Sequence, residues 1–246
     1  MGLFKTLKRR IIPLQNLFSK NLQLNNKNII ITGANSGIAL ALVKNLNIHN
    51  NILAFVNKDK SNISDIEGRD IKIINWDFRN INDHKDYVNE IIKFKPNIII
   101  NSAAIFGPEN QKYYELDTKE FFNIFNVNVF SHLRIIQNSI KGKELEQIIN
   151  ISSDMGSISL NKEGDYYYYR TSKTLLNSIT KNLSIDLKQK NINVYCIYPG
   201  SVKTKLNTGG IISPTFASQK IINICAENNL NFSGKFIDIN KNILEW

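Results

Sequence analysis

A single α/β domain, built on a doubly wound parallel sheet of about seven strands with helices on both faces, is predicted by three features of the 246-residue sequence. From Asn28 onward, apolar runs of strand length alternate with amphipathic stretches of helical length. Central runs such as Ile98-Ile99-Ile100 and Ile148-Ile149 are apolar on both faces, as strands covered by helices on each side must be. The first run passes into a helix through a glycine-bearing turn, the opening move of such sheets.

In order, strands are expected near 28–32, 51–56, 71–75, 97–101, 146–151, 192–197 and 234–238, and helices near 36–47, 82–94, 118–140, 166–189 and 215–227. Neither a second domain nor an internal repeat is visible. In the first unit, Asn28 to Ala39, the run Ile29 to Ile31 is too short for a helix, and helical spacing begins at Ile38, Leu42, Val43 and Leu46. The first turn of such a helix has unpaired N–H groups and partial positive charge, which attract a pyrophosphate, while Gly33 and Gly37 permit close backbone approach. Gly33, Asn35, Ser36, Gly37 and Ile38 are the candidate contacts. An ordinary tight turn is the competing reading of this glycine spacing taken alone, because the third glycine position holds Ala39.

The composition, 42% hydrophobic and 21% charged, allows a substantial core. No apolar run reaches the roughly 18 residues of a membrane span. Two cysteines without metal-ligand spacing fit a reduced, cytoplasmic setting. The formal net charge is +10, and six of those charges fall in residues 1–27, which carry no acid. The body is only mildly basic and lacks the basic face with stacking aromatics that nucleic acid requires, so no nucleic-acid partner is expected. Residues 1–27 form a basic amphipathic leader, with Leu3, Phe4, Leu7, Ile11 and Leu14 on one helical face. Three readings stay open: peripheral membrane or partner contact through residues 1–20, an arm packed on the domain or a partner subunit, and a targeting peptide.

At the end of the second strand, an enzyme using NAD(H) places an acid on the ribose, whereas one using NADP(H) offers a cation to the 2′-phosphate. The acid's place falls on Asn57, followed by Lys58, which favours NADP(H); Asp59, slightly later, keeps NAD(H) open. Asp77 and Phe78 close the third strand where an adenine would lie, although a solvated loop Asp fits as well. Asn101 and Ala103 end the fourth strand among small residues that let a cofactor lie against backbone.

The chemistry collects at Tyr169-Arg170-Thr171-Ser172-Lys173. Positions i and i+4 share a helix face, so the Lys173 ammonium is expected near the Tyr169 phenol, lowering its pKa toward working pH and making it a general acid. Ser153, or its neighbour Ser152 on the opposite strand face, can hydrogen-bond a substrate carbonyl. Asn128 is an amide in an otherwise apolar helix, suited either to proton relay or to simple helix–helix bonding. Pro199, Gly200, Val202 and Thr204 follow the sixth strand and can hold a carboxamide and phosphates; residues 205–214 have the composition of a mobile lid.

Taken jointly, Thr32-Gly33-x3-Gly37-x-Ala39, Asn101-x-Ala103, Asn128, Ser153, Tyr169-x3-Lys173 and Pro199-Gly200 resemble the short-chain dehydrogenase/reductase superfamily over residues 28–246. Ser152 to Ile158, Tyr166 to Lys173 and the ending from Gly234 look like the C-factor and sniffer-type carbonyl reductases. The resemblance implies a Rossmann-type fold, Tyr169 as acid/base, Lys173 on the nicotinamide ribose, Ser153 orienting the carbonyl and Asn128 supporting a relay water. It departs at Ala39 and Ala104, where glycine is usual. It implies hydride transfer between NADP(H) and a small-molecule carbonyl or alcohol, with Phe106 and Met155 lining the pocket, and a homodimer or homotetramer. The rival functions are a reductase or dehydrogenase of sugars or sugar precursors in a surface-polysaccharide pathway, and a cofactor-binding regulatory or scaffold protein with little turnover.

Overall fold

The computed structural model describes residues 22–57, 61–64, 66, 68–80 and 85–246. Seven parallel strands lie within two residues of their predicted places: β1 (Asn28–Thr32), β2 (Asn51–Val56), β3 (Ile71–Asn75), β4 (Ile98–Asn101), β5 (Gln147–Ile151), β6 (Asn193–Tyr198) and β7 (Phe236–Asp238). An eighth, β8 (Ile243–Leu244), returns antiparallel on β7. Two residues are too few to show alternation, so the sequence pattern contained no sign of it. The order across the sheet is β3-β2-β1-β4-β5-β6-β7-β8.

Strand alternation divides the core between the two faces. Ile29, Ile31, Ile98, Ile100 and Ile149 point to one side, where α1 (Gly37–Asn45) and α7 (Pro214–Glu227) pack, while Ile30, Ile99 and Ile148 point to the other. The second side is covered by α3 (Lys85–Phe94), α5 (Ser131–Ser139) and α6 (Tyr167–Asp186). A single turn, α2 (Ser61–Ser64), buries Ile63 on the first side and escapes a periodicity reading through its shortness. The helix expected over 118–140 is α4 (Thr118–Phe125) and α5 joined by a π-helical turn, Asn126–Phe130, centred on Asn128. Such one-turn widenings are frequent at functional sites. Ser213 caps α7 by accepting from Phe216 N, and Pro214 occupies its first turn, where no N–H is needed.

Residues 1–21, with most of the basic leader and its suggested membrane contact, lie outside the described residues. The stretch that follows is fastened to the domain. Leu24 is buried in the core, and the Asn50 amide donates to Leu24 O at 2.7 Å and to Asn47 O at 3.0 Å, while its Oδ1 accepts from Lys27 N at 3.0 Å. Lys27 Nζ grips both Glu146 oxygens at 2.7 and 2.8 Å. Among the described residues no helix is long and apolar enough to cross a membrane. Because Asn50 is 1% exposed and satisfies three backbone groups, Asn50→Ala should cost about 2–3 kcal/mol in urea unfolding; a loss below about 0.5 kcal/mol, the scale of a surface change, would show that water replaces the amide.

Candidate active site

The strand order reverses between β1 and β4, where the chain leaves the two strands in opposite directions; in open α/β sheets this is the point at which a ligand crevice forms at the carboxyl ends. Gly33 (φ +72°) makes the turn, and its N–H bonds Phe55 O at 2.9 Å. A β-carbon there would stand 2.9 Å from Ala103 Cα, so the turn and the end of β4 touch backbone to backbone. A β-carbon on Gly37 (φ +56°) would meet Thr204 Cγ2 at 3.2 Å. The first turn of α1 carries no acid, and Ser36 at its N-cap makes no side-chain cap bond. The N–H groups of that turn are thus left for an anion, which is the fit a dinucleotide diphosphate requires. Asn35 accepts from Asn62 Nδ2 through its carbonyl at 2.9 Å; Ile38 packs partly buried against the core, and Ala39 is 2% exposed within it. The methyl at Ala39 is therefore accommodated in the packing of α1 on the sheet.

Thr32 Oγ1 accepts from Ser102 N at 2.9 Å and Ala103 N at 3.0 Å. Asn101 donates to Asn150 Oδ1 at 2.7 Å, and its own buried Oδ1 has no partner among the described residues. At the other end of the cleft Asn57 is exposed, and Lys58 and Asp59 lie outside the described residues. The Asp77 carboxylate holds the Arg79 guanidinium at 2.6 Å. The Phe78 ring is 6% exposed and packs on Trp76 and Phe55 in the core, leaving its backbone as the part a ligand can use.

Past β6, Pro199 is buried and Gly200 has φ +79°. Residues expected as a lid form an internally bonded loop. Ser201 O accepts from Ile211 N and Ile212 N, Val202 bridges Ile212, and Thr204 and Asn207 exchange backbone bonds at 3.1 Å.

Tyr169 and Lys173 lie one turn apart on α6, both buried. Lys173 Nζ donates to Ile151 O at 2.9 Å and stands 5.8 Å from the centre of the Tyr169 ring. Gly156 allows this close fit, since a β-carbon there would fall 2.9 Å from Lys173 Cβ. The expected lowering of the phenol's pKa by the ammonium is not what this geometry produces. Burial, then the charge of Asp154, push Tyr169 well above the usual tyrosine value, and only the Ser153 hydroxyl pulls it down. Burial lowers Lys173 to about 8. The two candidate serines separate: Ser152 Oγ is buried and donates to Asn177 Oδ1 at 2.6 Å, whereas Ser153 is the one beside Tyr169. Asn128 uses its side chain on neighbours, accepting from Ile105 N at 2.8 Å and donating to Ile105 O at 3.0 Å and Ser172 Oγ at 2.9 Å. It thereby anchors the start of the loop after β4 to α6. Phe106 lies on the Tyr169 ring with centroids 4.9 Å apart, and Met155 donates its N–H to Ser153 Oγ at 3.1 Å.

Three residues near these groups carried no sequence signal strong enough to single them out. Gln111, 2% exposed, accepts from Tyr169 N at 3.2 Å and donates to Phe106 O and Pro108 O at 3.0 Å. Asp154 accepts from Ser153 Oγ at 2.9 Å. His132 is buried, and burial followed by the Lys173 charge lowers it to about 3, so it is neutral. Thr32, already accepting two N–H bonds, has its hydrogen for His132 Nε2 at 3.4 Å. Among the described residues no group of three or more His, Cys, Asp and Glu could hold a metal.

Residues 27–210 match the family described as short chain dehydrogenase. The chain is 26% identical over 153 residues to C-signal of Myxococcus xanthus, covering 61% of this chain and 92% of that protein. Carbonyl reductase Sniffer of D. melanogaster is similar in structure at 25% identity with a TM-score of 0.82, covering 91% of this chain and 100% of that one. An NADPH-bound carbonyl reductase from chicken fatty liver shares the fold at 21% identity, TM-score 0.79, with the same coverage.

Burying the Lys173 ammonium has a pH signature. Its folded value of about 8 lies below the 10.5 of the free side chain, so the unfolded chain holds the extra proton between those limits. The cost of burial is complete below pH 8 and fades as pH rises to 10.5. Lys173→Met should accordingly stabilise the unliganded protein by up to about 3 kcal/mol at pH 7, with the gain shrinking toward pH 10. Urea unfolding of both proteins at pH 7 and pH 10 measures this, and a difference independent of pH would refute the assignment.

Proposed function

Because the chain belongs to the short-chain dehydrogenase family, we propose that it is an NADP(H)-dependent oxidoreductase acting on a carbonyl or secondary alcohol, with Tyr169 as acid/base. The observation that carries this reading is the gathering of Tyr169, Lys173 and Ser153 at the carboxyl edge of β5, beside the cradle at Gly33. The nicotinamide cofactor, when bound, supplies or accepts the hydride.

The chain's own residues supply position and protons. Gly33, Asn35, Ser36, Gly37 and Ile38 receive the diphosphate on the first turn of α1. Asn57, Lys58, Asp77 and the Phe78 backbone flank the adenosine half, and Asn101, Ala103, Pro199, Gly200, Val202 and Thr204 flank the nicotinamide half. Ser153 gives a hydrogen bond to the substrate oxygen, and Tyr169 gives the proton. A phenol kept protonated by burial and by the neighbouring Asp154 carboxylate holds a proton that it can give to a nascent alkoxide. Lys173, fixed by Ile151 O, keeps its charge under the phenol and is placed to meet the ribose hydroxyls. Asn128 acts by holding Ile105 and Ser172 in place.

Tyr169→Phe should lower turnover of a carbonyl panel by about 10²–10⁴-fold while leaving the NADPH dissociation constant within about threefold. Unchanged turnover would reject the mechanism. Tight nucleotide binding with no turnover by the unmodified protein would favour the regulatory reading, to which the similarity with C-signal lends weight. For the cofactor, Lys58→Glu should raise the Michaelis constant for NADPH about tenfold more than that for NADH, the worth of one charge-assisted hydrogen bond. Equal effects would remove the preference for NADP(H).

A further inference from the structure

The carboxylate beside the reacting groups, Asp154, helps keep the Tyr169 proton in place but makes no contact with substrate in the mechanism above. Asp154 opens the 3-10 turn after β5, is half-buried, and accepts at one oxygen, Oδ1, from both Ser153 Oγ and Met155 N at 2.9 Å. A serine hydroxyl has a single hydrogen, so Asp154 competes with the Tyr169 oxygen, and would compete with a substrate carbonyl, for the one that Ser153 can give. Among the described residues no cation pairs with Asp154. Its charge nevertheless reaches the phenol, where it ranks second to burial in raising Tyr169.

A plain ketone that draws the Ser153 hydrogen to itself strips Asp154 of its best donor and leaves a half-buried carboxylate short of a partner. A ketone with a hydroxyl or ammonium on the adjacent carbon brings a replacement. Its two polar atoms are separated by about a hydrogen-bond length, the same spacing as Ser153 Oγ and Asp154 Oδ1. A carboxylate on that carbon does the opposite, setting like charges together.

Resting on the oxidoreductase reading, we propose that Asp154 selects carbonyl compounds carrying a hydrogen-bond donor on the carbon next to the carbonyl, that is, α-hydroxy and α-amino ketones or aldehydes. The carbonyl oxygen accepts from Ser153 and Tyr169, and the neighbouring hydroxyl or ammonium donates to Asp154. In the reductive direction the carbonyl carbon gains hydride from NADPH and the oxygen gains the Tyr169 proton, giving a vicinal diol or amino alcohol and NADP⁺. Phe106, lying on Tyr169 and 5.5 Å from the Tyr166 ring, supplies an apolar wall for the remainder of the molecule.

The test compares hydroxyacetone, aminoacetone, pyruvate and 2-butanone, by kcat/KM with NADPH and by their binding to the NADPH complex, in the full chain and in Asp154→Asn and Asp154→Ala. The unmodified protein should favour hydroxyacetone and aminoacetone over 2-butanone by about tenfold, with pyruvate poorest. Asn retains the acceptor without the charge, so it should keep the hydroxyacetone preference, lose the extra advantage of aminoacetone and relax the exclusion of pyruvate. Ala should abolish all three effects. An order of preference unchanged in Asp154→Ala, with turnover intact, would overturn the selection by Asp154 and leave the oxidoreductase reading standing. Donor-dependent binding that responds to Asp154 without turnover of any compound would uphold the selection and reject the reductase, and neither binding nor turnover would reject both.

Discussion

The site depends on how the chain resolves a local shortage of hydrogen-bond acceptors where the sheet divides. Pairing of β1 with β4 ends at Ile31 and Ile100, and the next N–H groups along the β4 side, Ser102 and Ala103, have lost their strand partner. One hydroxyl, Thr32 Oγ1, takes both. Unpaired, these groups would cost about 1–3 kcal/mol each if buried; paired in this way they hold the end of β4 against the Gly33 turn at a distance that excludes any side chain there. The glycine turn after β1 and the end of β4 are thus one construction. The hydrogen Thr32 keeps for itself points to neutral His132, which ties the same junction to the helix beyond the π-helical turn.

On the other side of the cleft the governing constraint is the cost of buried charge. Lys173 enters an environment that lowers its proton affinity, and the strand-end carbonyl of Ile151 is the acceptor it finds. Tyr169, in the same surroundings, is held in its neutral form. Both shifts share one cause, loss of water, and they act in opposite directions on the two groups because one is charged when protonated and the other when deprotonated. The same burial therefore costs stability at Lys173 and keeps the proton on Tyr169.

Much of this was legible in the sequence because the relevant rules are local. Strand length, two-sided apolarity and the Gly33–Gly37 turn predicted the parallel sheet, and seven strands fall where alternation placed them. The i, i+4 relation of Tyr169 and Lys173 correctly put both on one helix face, but the direction of the phenol's shift did not follow, since spacing encodes neighbours and not the loss of solvent around them. That the Phe78 ring turns inward onto Trp76 and Phe55 could not be read from its place at the close of a strand. The choice between Ser152 and Ser153 was undecidable from alternation alone; it needed Asn177, 25 residues away, to claim the first. Gln111 and His132 were invisible for the same reason, their partners lying 58 and 100 residues distant.

Gln111 shows what such long-range contacts do. The helix α6 begins at Tyr167 after Tyr166 in the left-handed region, with no side-chain cap of its own, so the N–H groups of its first turn need an outside acceptor. Gln111 Oε1 meets the N–H of Tyr169, while the two hydrogens of the same amide close the loop on Phe106 O and Pro108 O. Tyr168 Oη adds a bond from Asp117 N at the far end of that loop, and Lys112 pairs with Asp165 just before the helix. The segment from Phe106 to Asp117 is accordingly fastened to the start of α6 at three points, and Phe106, at its beginning, rests on the Tyr169 ring. Phe106 and Tyr169 therefore share one support, since the Gln111 amide bonds the backbone of both. A displacement of either is passed to the other both through the Gln111 amide and through the direct contact of the two rings.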